Sequence, residues 1–242
     1  MHMGLNFPGF VNIFNNDFGM PGQFLTTDGS GEESWSSIGT GGIWQFTEEF
    51  DIYDNVNVWN EELYLGGAAA AVSGALEMDT GAEAGGYLQI YSVYNTALTL
   101  RQAGTLTFEI RAKRNQSVPL DEGLYFGLAN TFQVSDVPYY FIAFASVGSG
   151  IDRMKGTKLN GSTFADTNYW ADVNNTWHTY KLVLTDASVP TAKYYVDGTL
   201  KETQNLDVLF RNLTYFAWIS HSNKGIAANQ DFDISYLKVK EG

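Results

Sequence analysis

The sequence predicts an all-β protein, a jelly-roll sandwich of two antiparallel sheets, and three observations predict it. From Trp44 onward, short segments rich in Tyr, Phe, Val, Ile and Thr are separated by Gly, Asn, Asp and Pro. Several of them alternate apolar with polar side chains, as strands with one wet face do. Helical periodicity is scarce along the 242 residues. About eleven such strands need two packed sheets to bury their apolar faces, with a closed barrel as the alternative.

The elements follow one another up to Val147 as WQFTEEFDIY, ELYLGG, GALEMD, GGYLQIYSVY, GTLTFEIRAKR, GLYFGLA and YYFIAFASV. In GTLTFEIRAKR, Leu106, Phe108 and Ile110 face one way and Thr107, Glu109 and Arg111 the other. GGAAAAVSGALEM has the alanine density of a helix, but glycines flank it and Ser73-Gly74 interrupt it, so Ala68 to Ala71 reads as a loop or tight bend. Gly148 to Asn175 reads as a long excursion or a pair of weak strands, the kind of segment that carries binding surfaces. WHTYKLVLTD and AKYYVDGTLKET come next, with Asp197-Gly198 as a hairpin turn. TYFAWISHS and FDISYLKVKE close the chain. In the last, Phe232, Ile234, Tyr236 or Leu237, and Val239 alternate with a slip that signals a bulge.

Composition narrows the function. The chain has no cysteine, which excludes a disulfide scaffold and a thiolate metal site. It carries 14 Lys+Arg against 27 Asp+Glu, a formal net charge of -13, with no Lys/Arg stripe visible. Nucleic acid and anionic membranes are therefore not expected partners. No apolar run is long enough to cross a bilayer, so no membrane insertion is expected. Met1 to Phe14 lacks the basic and apolar regions of a secretory leader.

Aromatic platforms beside planar polar groups suit sugar recognition. Tyr169 and Trp170, with Asp172 and Asn174 nearby, supply that mixture, and His221 and Asn223 form a second patch in the last hairpin. His178, at the head of a strand, would serve a lyase only if paired with a tyrosine.

From Trp44 to Glu241, the order GTLTFEIRAKR, WHTYKLVLTD, AKYYVDGTLKET and FDISYLKV resembles the concanavalin A-like lectin/glucanase sandwiches, laminin-G-like modules included. The resemblance implies the jelly roll and a choice between lectin and glycan-degrading enzyme. Glucanases of this fold use an E-x-D-x-x-E or E-x-D-x-E pattern on a central strand. The nearest approaches are Glu49 with Asp51 and Glu77 with Asp79; each pair shares a strand face, and neither has the third acid. No cofactor is required. The resemblance also implies a structural calcium ion where the last strand meets an early one, held by Asp231, Asp233 and Glu49.

Ahead of the sandwich lies GMPGQFLTTDGSGEESW, Gly19 to Trp35. Gln23 to Thr27 can extend, Asp28-Gly29 can reverse the chain, and Trp35 can pack back on Phe24 or Leu25. The segment resembles a short glycine-rich module of viral tail fibres and appendages. Residues 1–43 are thus expected to be an appendage-like segment and 44–242 the lectin-like sandwich. The expected protein is a non-catalytic fibre or spike component at the virion surface, or extracellular after release. Its partners would be a cell-surface glycan, other virion proteins and copies of itself, as a homotrimer. A glycan-degrading hydrolase or lyase, or a purely structural virion decoration, is the alternative.

Overall fold

The computed structural model describes residues 23–27, 33–37 and 45–242, apart from 56–57, 93–97, 101–102, 116–122, 131–139, 147–150, 162, 212, 224–227 and 229. The chain divides into two compact units, Met1–Gly42 and Ile43–Gly242. In the first, β1 (Gln23–Thr27) and β2 (Glu33–Ser37) pair antiparallel, with Leu25 opposite Trp35 and Phe24 opposite Ser36. The extended segment expected at Gln23 to Thr27 is β1. The Asp28-Gly29 turn and the side-chain placement of Trp35 lie outside the described residues.

The second unit is a sandwich of two antiparallel sheets. The front sheet runs β13 (Thr163–Asp166), β12 (Arg153–Asn160), β11 (Tyr140–Ser146), β10 (Leu124–Ala129), β18 (Thr214–Ser222), β7 (Tyr87–Ser92) and β4 (Trp59–Tyr64). Two short strands, β8 (Leu98–Thr99) and β14 (Trp170–Ala171), pair with β18 and β12. The back sheet runs β17 (Thr199–Asn205), β16 (Thr191–Val196), β15 (Trp177–Thr185), β9 (Thr105–Asn115), β19 (Asp231–Glu241), β6 (Ala75–Asp79) and β5 (Ala68–Val72), with β3 (Gln45–Glu48) also on β19.

Alternation along the strands builds the core. On β9, Leu106, Phe108, Ile110 and Ala112 are buried, and opposite them β15 buries Leu184, Leu182 and Tyr180. From the front sheet, Leu124, Phe126 and Leu128 of β10 point into the same space, with Ile142 and Phe144 of β11. Each such side chain contributes about 1.5–3 kcal/mol by leaving water. Phe126 sits at the centre, stacked on Phe144 and on Phe232 of β19 at 5.2 Å each and edge-on to Tyr180 at 4.9 Å.

Four sequence expectations meet their outcome here. The β16–β17 turn is the expected hairpin, with Asp197 at φ 49 and Gly198 at φ 75, the left-handed pair that a two-residue loop needs. The slip in β19 is a register shift between Ile234 and Tyr236; past it Leu237 and Val239 turn inward and Tyr236 outward. Ala68 to Ala71, however, is not a loop. It belongs to edge strand β5, joined to β6 through Ser73-Gly74, both at positive φ, because ladder bonds to β6 outweigh the helical preference of a short alanine run. Of the two forms expected for Gly148 to Asn175, a long excursion or a pair of weak strands, the second is nearer, since the segment holds the eight-residue β12 and the short β13 and β14.

Among the described residues no helix is long and apolar enough to cross a membrane.

Candidate functional site

The central front-sheet strands β10, β11 and β18 are apolar on both faces. One face fills the core. On the other, Trp218 of β18, Phe141, Ala143, Ala129 and Leu159 form a second buried apolar cluster, with Tyr91 and Tyr125 packed against it. Tyr125 lies nearly parallel to Trp218 at 5.9 Å, Phe141 meets both rings, and exposed Phe164 of β13 continues the series at 5.9 Å from Phe141. Such ring pairs add about 0.5–1.5 kcal/mol beyond their buried area.

A polar bracket adjoins the rings. The Trp218 indole N–H donates to Gln89 Oε1 at 3.1 Å, and Gln89 Nε2 donates to Glu62 Oε2 at 2.6 Å. The Tyr87 hydroxyl donates to the other Glu62 oxygen, and Tyr64 tilts over Tyr87 at 5.6 Å. Register explains the convergence: Glu62 of β4 lies opposite Gln89 of β7, which lies opposite Ser220 of β18, two residues from Trp218 on the same face. At the far edge, Lys155 of β12 bonds Asp166 of β13 at 2.5 Å and sits over the Tyr169 ring at 5.0 Å.

Glu62 and Asp166 are the acids of this face among the described residues. They stand on the first and last strands of the path, six spacings apart, or roughly 29 Å. A retaining glycosidase needs about 5–5.5 Å between its carboxyls and an inverting one about 6.5–9.5 Å. These two therefore cannot act as such a pair.

The sequence-predicted residues fall elsewhere for the most part. Tyr169 is exposed beside Lys155 on this face. Trp170 turns inward, edge-on to Phe144 and tilted on Tyr194. Asp172 is buried, paired with Arg114 at 2.5 Å and accepting from the Tyr180 hydroxyl at 2.8 Å, so it holds the fold and meets no ligand. Burial and then the Asp172 charge push the Tyr180 hydroxyl well above the ordinary tyrosine range. Asn174 is half-buried, its backbone N–H bonded to Asp152 at 2.9 Å. Asn223 is fully buried and its amide donates to the Gly81 and Ala228 carbonyls, clamping the β6–β7 loop.

Among the catalytic candidates, Glu49 and Asp51 are exposed beyond the end of β3. Glu77 and Asp79 share a face of β6 as expected, but that face is the outer side of the back sheet. His178 bonds Asp197 at 2.6 Å at the β16–β17 turn, a contact that pins the hairpin.

The calcium set separates. β3 meets β19 at Leu237 to Lys240, away from Asp233, so Glu49 does not join Asp231 and Asp233. Their neighbours are Asp79 and Glu77, directly opposite in register. Burial, then the charges of Asp79, Asp233 and Glu77, raise the Asp231 carboxyl above the usual range. Asp233 is already bonded to Lys113 at 2.6 Å and Asp79 to the Gly81 N–H at 2.6 Å. Among the described residues no group of three or more His, Asp or Glu is arranged to hold a metal ion.

His221 points into the core beside Phe232 and is fully buried, which removes it from any ligand surface. Burial pushes its pKa down to about 4, against the smaller opposing pull of the Met78 backbone and the Asp79 charge. The unfolded chain takes up this proton near pH 6.5 and the folded one only near 4, so the stability is complete above 6.5 and is lost as pH falls toward 4. The loss is on the order of 3 kcal/mol. Thermal unfolding followed from pH 7 to 4 is expected to show a steeper fall in Tm for the native chain than for His221→Leu; parallel curves would refute the assignment.

Tyr87, Gln89, Tyr91, Tyr125, Phe141 and Trp218 were not among the predicted site residues. The signal was present in YYFIAFASV, GLYFGLA and TYFAWISHS, which are apolar at both parities, unlike GTLTFEIRAKR. A strand of that kind has something apolar on each side.

No protein-family model matches the chain, and no curated protein sequence matches it. Solved structures do. An endo-1,3-β-glucanase from Streptomyces sioyaensis superposes with TM-score 0.62 at 17% identity, over 83% of this chain and 96% of that one. The carbohydrate recognition domain of Emp47p gives 0.59 at 14%, over 81% and 93%. A laminarinase from Flavobacterium sp. UMI-01 gives 0.55 at 18%, over 80% and 98%. The second unit is thus a concanavalin A-like lectin/glucanase jelly roll, a fold shared by carbohydrate-binding lectins and glycan-hydrolysing enzymes.

Proposed function

We propose that the sandwich binds carbohydrate on the outer face of its front sheet. The observation that carries this reading is the Tyr125–Trp218 stack joined through Gln89 to Glu62. Rings offer a surface for the C–H faces of a sugar, and the half-buried Glu62 carboxylate, held beside them by buried Gln89, can bond its hydroxyls. Half-buried Tyr125 and Tyr91 and exposed Phe164 present the aromatic edge, while Trp218 lies beneath. Likeness to carbohydrate recognition domains and glucanases supports the class of ligand.

Hydrolysis is the second reading, favoured by the glucanase neighbours and by a carboxylate, Glu62, fixed by two donors, although no second carboxylate of this face among the described residues stands at catalytic distance from it. A virion appendage setting rests on the Gly19 to Trp35 pattern and on the β1–β2 hairpin, a two-stranded unit too small to be stable alone that would gain by trimeric assembly.

One experiment separates these. The protein, displayed multivalently on a glycan array with and without calcium, is expected to bind one sugar class saturably, and Tyr125→Ala to lower that affinity at least about tenfold without changing the fold. Silence across a broad array sinks the binding reading. Release of reducing ends, abolished in Glu62→Gln while binding persists, would make the protein a hydrolase.

A further inference from the structure

The outer face of the back sheet gathers positive charge in a chain whose formal net charge is -13. Register sets Lys193 of β16 beside Val183 and Tyr195 beside Lys181 of β15. Lys181 lies beside Glu109 of β9, with Thr179 beside Arg111 and Trp177 beside Lys113. Past the β19 bulge, Tyr236, Lys238 and Lys240 lie opposite Arg111, Glu109 and Thr107. Four adjacent strands thus bring six cations together, Arg111, Lys113, Lys181, Lys193, Lys238 and Lys240, out of 14 Lys+Arg in the chain.

Lys113 is held by Asp233 at 2.6 Å. Among the described residues the other five have no carboxylate at ion-pair distance. Glu109, the acid in their midst, accepts from the Tyr236 hydroxyl at 3.1 Å. Glu77, Asp79, Asp231 and Asp233 cluster at the far end of β6 and β19. Aromatic rings interleave the cations: Arg111 and Lys113 each lie 5.4 Å from Trp177, Lys238 lies 4.4 Å from Tyr236, and Lys181 lies 6.0 Å from Tyr195.

We infer that this face is a second binding surface, one that takes an anionic polysaccharide, with the cations on its carboxylate or sulfate groups and the rings against its sugar faces. Glu109 and Asp233 within the patch leave the six cations in excess, and at physiological salt acids more than about 8 Å away are largely screened. A second copy of the chain fits less well. The basic area spans three strand spacings and six residues, on the order of 300 Å². A stable interface needs about 800 Å² per partner, and lysine is depleted from such surfaces.

The test uses the full chain against immobilised alginate, a polyuronate; heparin, a sulfated chain; neutral laminarin; and single-stranded DNA. Alginate or heparin is expected to bind saturably and more weakly as salt rises. The variant carrying Lys181→Gln, Lys193→Gln, Lys238→Gln and Lys240→Gln is expected to lose at least about tenfold in that affinity with Tm and laminarin binding unchanged. Tyr125→Ala, on the opposite face, is expected to leave it intact, so failure of the front-face reading is told apart from failure of this one. Preference for alginate assigns carboxylates and preference for heparin assigns sulfates. The inference is overturned by equal binding of the fourfold variant, by loss in Tyr125→Ala, by DNA binding as tightly as either glycan, or by absence of polyanion binding. A switch from dimer to monomer in light scattering on substitution also overturns it, by giving the face to a second copy.

Discussion

Arg114→Leu is expected to lower the unfolding free energy by about 3–5 kcal/mol, the range for removing one partner of a buried ion pair. Arg114, on β9, is 1% exposed. One terminal nitrogen donates to Ser146 Oγ at 3.3 Å and the Ile151 carbonyl at 3.0 Å, the other to the Asp172 carbonyl at 2.7 Å and its carboxylate at 2.5 Å. A single back-sheet side chain thereby ties down the end of β11 and the segments on either side of β12 and β14. Leucine leaves the Asp172 carboxylate in the interior with the Tyr180 hydroxyl as its bonded donor. For a chain of this size each kcal/mol moves Tm by about 2–4 °C, so the expected drop is on the order of 10 °C. Adding Asp172→Leu is expected to restore much of it, since an apolar pair of similar volume is often neutral. A drop of less than about 1 kcal/mol in urea unfolding would mean that water reaches Asp172 and that the pair does not brace the fold.

Phe126→Ala is expected to cost about 3–5 kcal/mol by a different cause, the cavity left between the sheets. Phe126 contacts rings from β11, β15 and β19, so its neighbours cannot collapse inward without shifting strands of both sheets. Urea unfolding is expected to show a lower midpoint with an unchanged slope. Retention of the native midpoint would show that the surrounding rings repack, contrary to the close packing described above.

Much of this architecture was legible in the sequence. The alternation of GTLTFEIRAKR dictates which side of β9 is wet, Asp197-Gly198 dictates a hairpin, and the broken parity of FDISYLKVKE dictates a bulge. Each signal is local, lying within one strand or turn. β5 was misread because alanine says little about pairing and its partner, not its composition, makes it a strand. The proposed ligand face was missed for another reason: Glu62, Gln89, Tyr125 and Trp218 come from four strands, and only register brings them together. Asp172 looked like a loop acid because its partner Arg114 lies 58 positions earlier. The cation cluster is hidden in the same way, since each strand supplies one or two residues and only register sets them side by side.

The place of β19 in the back sheet bears on how the protein is made. This strand lies between β9 on one side and β6 and β3 on the other, with Asp231 opposite Asn115. A ribosome adding about 5–20 residues per second takes roughly 6–20 s to travel from the end of β9 to the start of β19. During that interval the inner faces of β9 and β6, with Phe108, Ile110, Leu76 and Met78, lack their shared neighbour, and their backbone edges are open templates for another chain. Closure of the sandwich therefore waits until residues 231–241 emerge.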